Sequence, residues 1–319
     1  MIDTSISTAP PQAPGPAKRK GGTSSRRRQR LVRTLEPYGY LSPVIVLMLV
    51  LMILPIAVVI RYSLLDNVIM TPTSVVVGLQ NYVTILSDPV YHTAIKNTAV
   101  FTGSSVLAHL VLGLGFAMLL NSPLLGRWTK TIFRTIFVLP WLLTVAIIAI
   151  LWRLLLDPNG VVNYVLGEAG VIDTPIAWLA DLNLALPAVT FINIWAGYPF
   201  FMVSLLAGLQ GISADLYEAA AVDGASWWRR FFHVTLPSLR PIILSMALLD
   251  MIWTSQQFPL IWMTTGGGPL DRTEMLSTYT YKLAFSEYQF AQASASAVML
   301  LAVALVLAVF YVRHQRVRD

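Results

Sequence analysis

No cysteine occurs in the 319 residues, so disulfides, thiol catalysis and cysteine-based metal sites are all excluded. The four histidines (His92, His109, His233 and His314) are scattered and fit no metal-ligand spacing. None of the five lysines follows a glycine, so the chain has no G-x-x-x-x-G-K-S/T phosphate loop and cannot bind and hydrolyse ATP in the usual way. The acidic residues are dispersed, whereas an enzyme acting on lipid-linked sugars needs clustered carboxylates or histidines near the membrane surface. Internal repeats are missing as well. Charge is scarce: 12% of residues are charged, against about 25% in an ordinary soluble domain.

Apolar residues fill the gap, at 56% of the chain with a mean hydropathy of +0.66. One aqueous core cannot hide that much apolar surface, so the bilayer is the natural solvent. A helix needs about 20 mostly apolar residues to cross it. Six stretches qualify, roughly 39–60, 97–121, 132–156, 183–209, 241–263 and 291–312. The sequence therefore predicts an all-α, polytopic membrane protein with six transmembrane helices. The fourth and fifth stretches carry polar residues and Pro187, Pro199 and Pro259, which suits helices facing protein or water more than lipid.

The formal charge of +6 is not spread evenly. Eight of the 22 Lys and Arg lie between Lys18 and Arg33, ahead of the first apolar stretch. This reads as a disordered basic cytoplasmic tail, residues 1–34, preceding a transmembrane domain over 35–319. The run serves orientation and contact with anionic lipid headgroups, not nucleic acid. The apolar stretch behind it is too long for a cleaved signal peptide and lacks a small-residue cleavage site. Alternate connecting segments hold 17 and five of the 22 basic residues, which places both termini in the cytoplasm.

The inside loop 210–240 is long for such a bundle and reads QGISADLYEAAAVDGASWWRRFFHVTLPSLR. Asp215 can cap a helix over Leu216–Asp223, with Glu218 near its positive end and Gly224 ending it. An amphipathic stretch, Trp227–Val234, follows, and Pro237 and Pro241 turn the chain back into the membrane. The expected product is a helix–turn–helix lying along the cytoplasmic face, with small Ala219, Ala220 and Ala221 open to close approach.

Glu218-Ala219-Ala220, then Gly224, then Val234 and Leu236-Pro237 resemble the EAA motif of ABC-importer permeases, with valine in place of the usual isoleucine. The resemblance implies a type I ABC-importer permease fold. In that family the loop is the coupling helix that seats in a groove of an ATPase subunit. By resemblance, Glu218, Ala219, Ala220, Asp223, Gly224, Leu236 and Pro237 are the coupling residues, with Glu218 pairing with a basic partner residue and Gly224 permitting the sharp turn. Thr265-Gly266-Gly267-Gly268-Pro269, with Thr278-Tyr279-Thr280-Tyr281 and Ala284-Phe285, looks like the region after the fifth helix in carbohydrate-importer permeases. Asn193–Phe200 (NIWAGYPF) is similar to the sugar-holding helix of maltose-importer permeases, whose extra helices and large periplasmic insertion this chain lacks.

Asp250 is the one carboxylate placed well inside a stretch, where burial costs about 2.5–3.5 kcal/mol, so it should face a cavity or a partner. Trp253, Thr254 and Gln257 follow it on one helical face, and Asn193, Gly197 and Phe200 repeat the pattern on the fourth stretch. Carboxylate and amide groups beside aromatic planes suit sugar hydroxyls and ring C–H faces. These seven positions form the candidate substrate site, with interhelical polar packing as the competing explanation. The triple glycine is expected to be a flexible turn.

The implied function is one permease half of an ATP-driven importer for a sugar, a disaccharide such as trehalose or maltose. Glycerol phosphate fits less well, because the presumed site bears an acid and no arginine. An ion-gradient carrier would also use an intramembrane acid, but gives no reason for the EAA loop. The implied partners are a second permease subunit, two ATPase subunits that hold the ATP and magnesium, an extracytoplasmic sugar-binding protein, and lipid. The basic Pro-rich tail and overall pattern resemble actinobacterial trehalose-importer permeases.

Overall fold

The computed structural model describes residues 23–66, 68–69 and 73–316, with side chains described from 40 to 313. It forms two compact units, Met1–Ala57 and Val58–Asp319. Among the described residues the only β-pairing is an isolated bridge between Leu65 and Val76, and all else regular is helical. In chain order the helices are α1 (Thr23–Ser63), α2 (Gln80–Leu86), α3 (Pro89–Asn121), α4 (Arg127–Leu142), α5 (Val145–Leu155), α6 (Val161–Glu168) and α7 (Ala185–Gln210). There follow α8 (Ala214–Val222), α9 (Trp227–Arg230), a π-helical segment Phe231–Thr235, α10 (Leu236–Ser255), α11 (Pro259–Thr264), α12 (Leu276–Phe285) and α13 (Phe290–Arg316).

Five helical runs are long and apolar enough to cross a membrane: Tyr40–Ser63, α3, α7, Trp227–Ser255 and Phe290–Arg313. The pair α4 and α5 makes a sixth when taken as one span, bent by 99°. The straight helix expected over 132–156 is thus corrected to a broken one. Pro140 cannot donate to the turn before it, and Thr144 starts a new helix by accepting from the Ile147 N–H at 3.4 Å.

The stretch expected over 241–263 is also broken, in a different place. Helix runs without interruption from Trp227 to Ser255, stops at Gln256–Gln257, and resumes as α11 with Pro259 in its first turn. Pro259 has no N–H with which to carry the hydrogen-bonded ladder of α10 onward and is tolerated in the first turn of a new helix, so the break falls just before it. Pro237 and Pro241 do not turn the chain. Pro237 sits in the first turn of α10, where a missing N–H leaves nothing unsatisfied, and Pro241 lies inside the helix. The expected tail, 1–34, lies outside the described residues as far as position 22, and from Thr23 the backbone is helical. Arginine, glutamine and leucine in that stretch are good helix formers, which outweighs its high charge.

The core of the larger unit is the packing of α3 on α7. Gly113 of α3 lies so close to Phe201 and Met202 of α7 that a Cβ there would overlap the Phe201 side chain. Phe201, Met202 and Leu205 are fully buried, with Ala117 and Leu120 from α3 and Leu239, Ile243 and Met246 from α10 around them. A second cluster toward the other end joins Phe101, Ile148, Val189, Ile192, Leu260 and Ile261.

At the α2 end, the loop from Thr265 to Met275 is held by side chains, not left free. Asn97 of α3 donates its amide to the carbonyls of Asp271, Arg272 and Glu274 at 3.0–3.1 Å. Glu274 is fully buried and accepts from Lys282 Nζ at 2.5 Å, with Asp271 3.8 Å from the same ammonium. Gly267, at φ +91°, presses against this ion pair, and a Cβ would collide with the Glu274 carboxylate. Gly267 is therefore a close-packed seat within the turn expected of the triple glycine. Burial raises the Glu274 carboxyl above its ordinary value of 4.5, opposed by the bond from Lys282.

A raised folded-state value means that the folded chain binds the proton more tightly than the unfolded one. Glu274 therefore contributes most below the ordinary value of 4.5, and that contribution is lost as pH rises through the raised one. We expect Glu274→Gln to flatten the fall in thermal stability of the purified protein above about pH 5. An unchanged slope in melting temperature against pH would contradict this. Replacing Asn97 by Asp removes three donated bonds and aims a carboxylate at three carbonyls, so it should destabilise by about 2–4 kcal/mol and by more than Asn97→Ala. Chemical unfolding of the two variants gives the comparison.

Candidate functional site

Two regions hold the residues singled out in the sequence. The first is the loop between α7 and α10. Ser213, not Asp215, caps α8, its hydroxyl accepting from the Asp215 N–H at 3.3 Å, so the helix begins two residues earlier than expected. Asp215 then sits in the first turn, where a carboxylate suits the positive end of the helix. At the other end Asp223 is the C-cap and Gly224 takes φ +72°. Gly224 N–H reaches the Ala221 carbonyl at 3.0 Å and Ala225 N–H reaches Ala220 at 2.9 Å, the paired closure of a Schellman motif. A residue with a Cβ resists that left-handed conformation, which is the physical reason for glycine here.

No residue of α8 is buried. Glu218, Ala219 and Asp223 are exposed, Ala220 is half-buried, and Val222 is 88% exposed. The helix is nonetheless fixed in place: the Tyr217 hydroxyl meets the Thr235 hydroxyl at 3.0 Å. Thr235 belongs to the π segment that leads without a break into α10, and its hydroxyl lies 3.5 Å from the Arg230 carbonyl. Leu236 and Pro237 start α10. The loop thus presents an exposed helix tied through Tyr217 to the segment that leads into a membrane-crossing one.

The second region is where α3, α7 and α10 meet. Asp250 is 7% exposed, and both of its oxygens are engaged. Oδ2 is 2.8 Å from His109 Nδ1, and Oδ1 accepts from the Thr254 hydroxyl at 3.0 Å. His109, from α3, is 2% exposed, and its Nε2 lies 3.1 Å from the backbone carbonyl of Asn193 on α7. Gly197, one turn further along α7, faces the imidazole so closely that a Cβ would overlap the ring. Phe201 packs on the same ring at a centroid distance of 5.9 Å.

Of the seven candidate substrate residues, Asn193, Gly197, Asp250 and Thr254 are therefore gathered around His109. Asn193 Nδ2 is buried without a hydrogen-bond partner, as are the hydroxyls of Thr102 and Ser105 on α3. The remaining three lie differently. Phe200 is half-buried between Trp141 and Trp253, at centroid distances of 6.2 Å and 5.6 Å. Trp253 is 56% exposed. Gln257 falls in the break after α10, its carbonyl accepting from the Ser277 hydroxyl at 2.8 Å. Trp253 and Phe200 thus make an aromatic surface beside the polar junction.

His109 was missed as a site residue because histidines were weighed only as metal ligands. The signal that points to it is the polar stripe Thr98, Thr102, Ser105 and His109 along an otherwise apolar helix, at spacings of four, three and four. All four are buried.

A family model described as binding-protein-dependent transport system inner membrane component matches residues 109–319. The trehalose/maltose transport system permease protein MalF of Thermococcus litoralis is 36% identical over 286 residues, covering 88% of this chain and 94% of that protein. The diacetylchitobiose uptake system permease protein NgcF of Streptomyces coelicolor is 31% identical over 310 residues, covering 92% and 86% respectively. The fold matches a crystal structure of a bacterial ABC transporter involved in the import of the acidic polysaccharide alginate. That match has a TM-score of 0.76 at 26% identity, over 92% of this chain and 100% of that one. The match confirms the type I importer permease fold, and the relatives are transport subunits and not enzymes. The chain belongs to the binding-protein-dependent inner membrane transport components, the membrane-embedded permeases of ABC importers.

Proposed function

We propose that this permease forms one half of the pathway of an ATP-driven importer for a disaccharide of the trehalose or maltose type. The ATP-driven part rests on one observation above the rest: α8 is closed at both ends by its own caps, tied to the π segment by Tyr217, and buries nothing in its own chain. Such a helix is built to receive a partner. The partner is an ATPase subunit, which binds ATP and magnesium in place of this chain. Glu218 and Asp223 offer it negative charge, and Ala219 and Ala220 allow close approach. Closure of two such subunits then turns this permease and a second one from inward- to outward-facing, and an extracytoplasmic binding protein delivers the sugar. The loop works only if it contacts the ATPase differently in its two states.

Sugar as the cargo is supported by the sugars that the relatives are named for and by the aromatic surface of Trp253 and Phe200. A flat indole offers a sugar ring face a stacking partner worth about 0.5–1.5 kcal/mol beyond area burial. Gln257, four residues beyond Trp253 in the break after α10, supplies a hydrogen-bonding group. Thr254, Asp250 and Gly197 lie beneath, in the junction with His109. A gradient-driven carrier would also use a buried acid, but both Asp250 oxygens are occupied within the chain, and such a carrier has no use for α8.

Two measurements on the reconstituted importer test this reading. Glu218→Arg combined with Gly224→Val should lower ATP-driven uptake of labelled trehalose and maltose by more than about tenfold while ATP hydrolysis by the motor subunits persists. Uptake at the unsubstituted rate would defeat the coupling assignment. Trp253→Ala should raise KM for the transported sugar about tenfold, the equivalent of about 1.4 kcal/mol, with the maximal rate within about twofold. An unaltered KM removes Trp253 from the sugar path.

A further inference from the structure

We infer that His109 and Asp250 form a charge-neutral clasp that positions the sugar-facing side chains of α7 and α10, and that Asp250 and Gly197 serve transport through this clasp and not by touching sugar. The inference rests on the proposed role of the α7–α10 face and adds a positioning residue from α3.

The hydrogen inventory of the junction carries the case. His109 Nε2 faces the Asn193 carbonyl at 3.1 Å, and a carbonyl oxygen can only accept, so Nε2 bears a hydrogen. Nδ1 faces Asp250 Oδ2 at 2.8 Å. If neither atom carried a hydrogen, two lone pairs would oppose each other at bonding distance. If both did, two hydrogens would share one line. One hydrogen therefore lies between them, on nitrogen or on oxygen. In either arrangement the pair as a whole has no net charge. That is the arrangement a low-dielectric interior demands, because an unpaired carboxylate there is strongly destabilising.

The same geometry leaves Asp250 nothing to offer a sugar. Oδ2 is taken by His109, Oδ1 by Thr254, and the residue is 7% exposed. Gly197 is likewise explained from inside: the space a Cβ would need is filled by the imidazole. The clasp joins three spans, with His109 on α3, the Asn193 carbonyl on α7 and Asp250 on α10. Phe200 lies three residues beyond Gly197, and Trp253 three beyond Asp250. Fixing those two points fixes how the two rings meet, at a centroid distance of 5.6 Å.

The test uses the full importer: this chain with its partner permease, ATPase subunits and binding protein. Uptake of radiolabelled trehalose is measured in proteoliposomes, and melting temperature is measured on the detergent-solubilised complex. Asp250→Asn should be tolerated, because neutral His109 keeps its Nε2–H and accepts the new amide hydrogen at Nδ1. We expect its melting temperature unchanged and KM within about twofold of the parent. His109→Asn leaves a buried carboxylate with no compensating charge, and should lower both melting temperature and maximal uptake, the latter about tenfold. The double variant restores a neutral amide pair and should recover uptake to within about threefold of the parent, a non-additivity that simple loss of packing does not give.

A KM raised about tenfold or more by Asp250→Asn, at unchanged melting temperature, would make Asp250 a sugar ligand and overturn the clasp. A double variant no better than His109→Asn would overturn it too. If the parent complex takes up no trehalose, the substrate reading fails by itself. The order of melting temperatures then still decides the clasp.

Discussion

A polar group inside a bilayer has no water to fall back on, and the architecture of this permease follows from where each such group finds its partner. The junction of His109, Asp250, Thr254 and the Asn193 carbonyl is the place where that constraint is tightest. It satisfies an acid within a span, ties together three of the helices that build the pathway, and sets Gly197 and Phe201 against the imidazole. The α3–α7 core packs on one side of it, through Gly113, Phe201 and Met202. The Trp253–Phe200 pair adjoins this core through Phe201.

The same constraint, absent in water, explains the contrast with α8. Outside the bilayer a helix need not bury its surface; no residue of α8 is buried, Tyr217 and Ala220 are half-buried, and its caps and the Tyr217–Thr235 bond hold its shape. A π segment is a local surplus residue in a helix, common where helices must bend for function. Here it lies between α9 and α10 without interrupting the helical run from Trp227 to Ser255. Under the proposed coupling role, motion at α8 passes through the Tyr217–Thr235 bond into the helical run that contains α10.

The spans, the position of the loop and the anomaly of Asp250 were legible in the sequence because each is a local pattern. Apolar runs report bilayer crossing directly, and the spacing from Glu218 to Pro237 lies within one short segment. What escaped was whatever depended on distant residues or on fine backbone choice. His109 lies 141 residues before Asp250, and nothing along the chain pairs them. Pro237, Pro241 and Pro259 look alike in sequence. Only the last coincides with a break in the helix, because the π segment runs without interruption into α10 at Pro237 and Pro241 is carried inside it. The triple glycine read as freedom. At Gly267 it is the opposite, since the ion pair of Glu274 and Lys282 occupies the space beside that residue.

The central claim, a neutral pair with a hydrogen fixed on His109 Nε2, is open to direct observation. With His92, His233 and His314 replaced, His109 is the only histidine left, and nitrogen-15 solid-state NMR of the protein in lipid reads its two ring nitrogens separately. The account predicts that Nε2 carries a hydrogen, with Nδ1 sharing a second one with a carboxyl group. A bare Nε2 beside a protonated Nδ1 would contradict it.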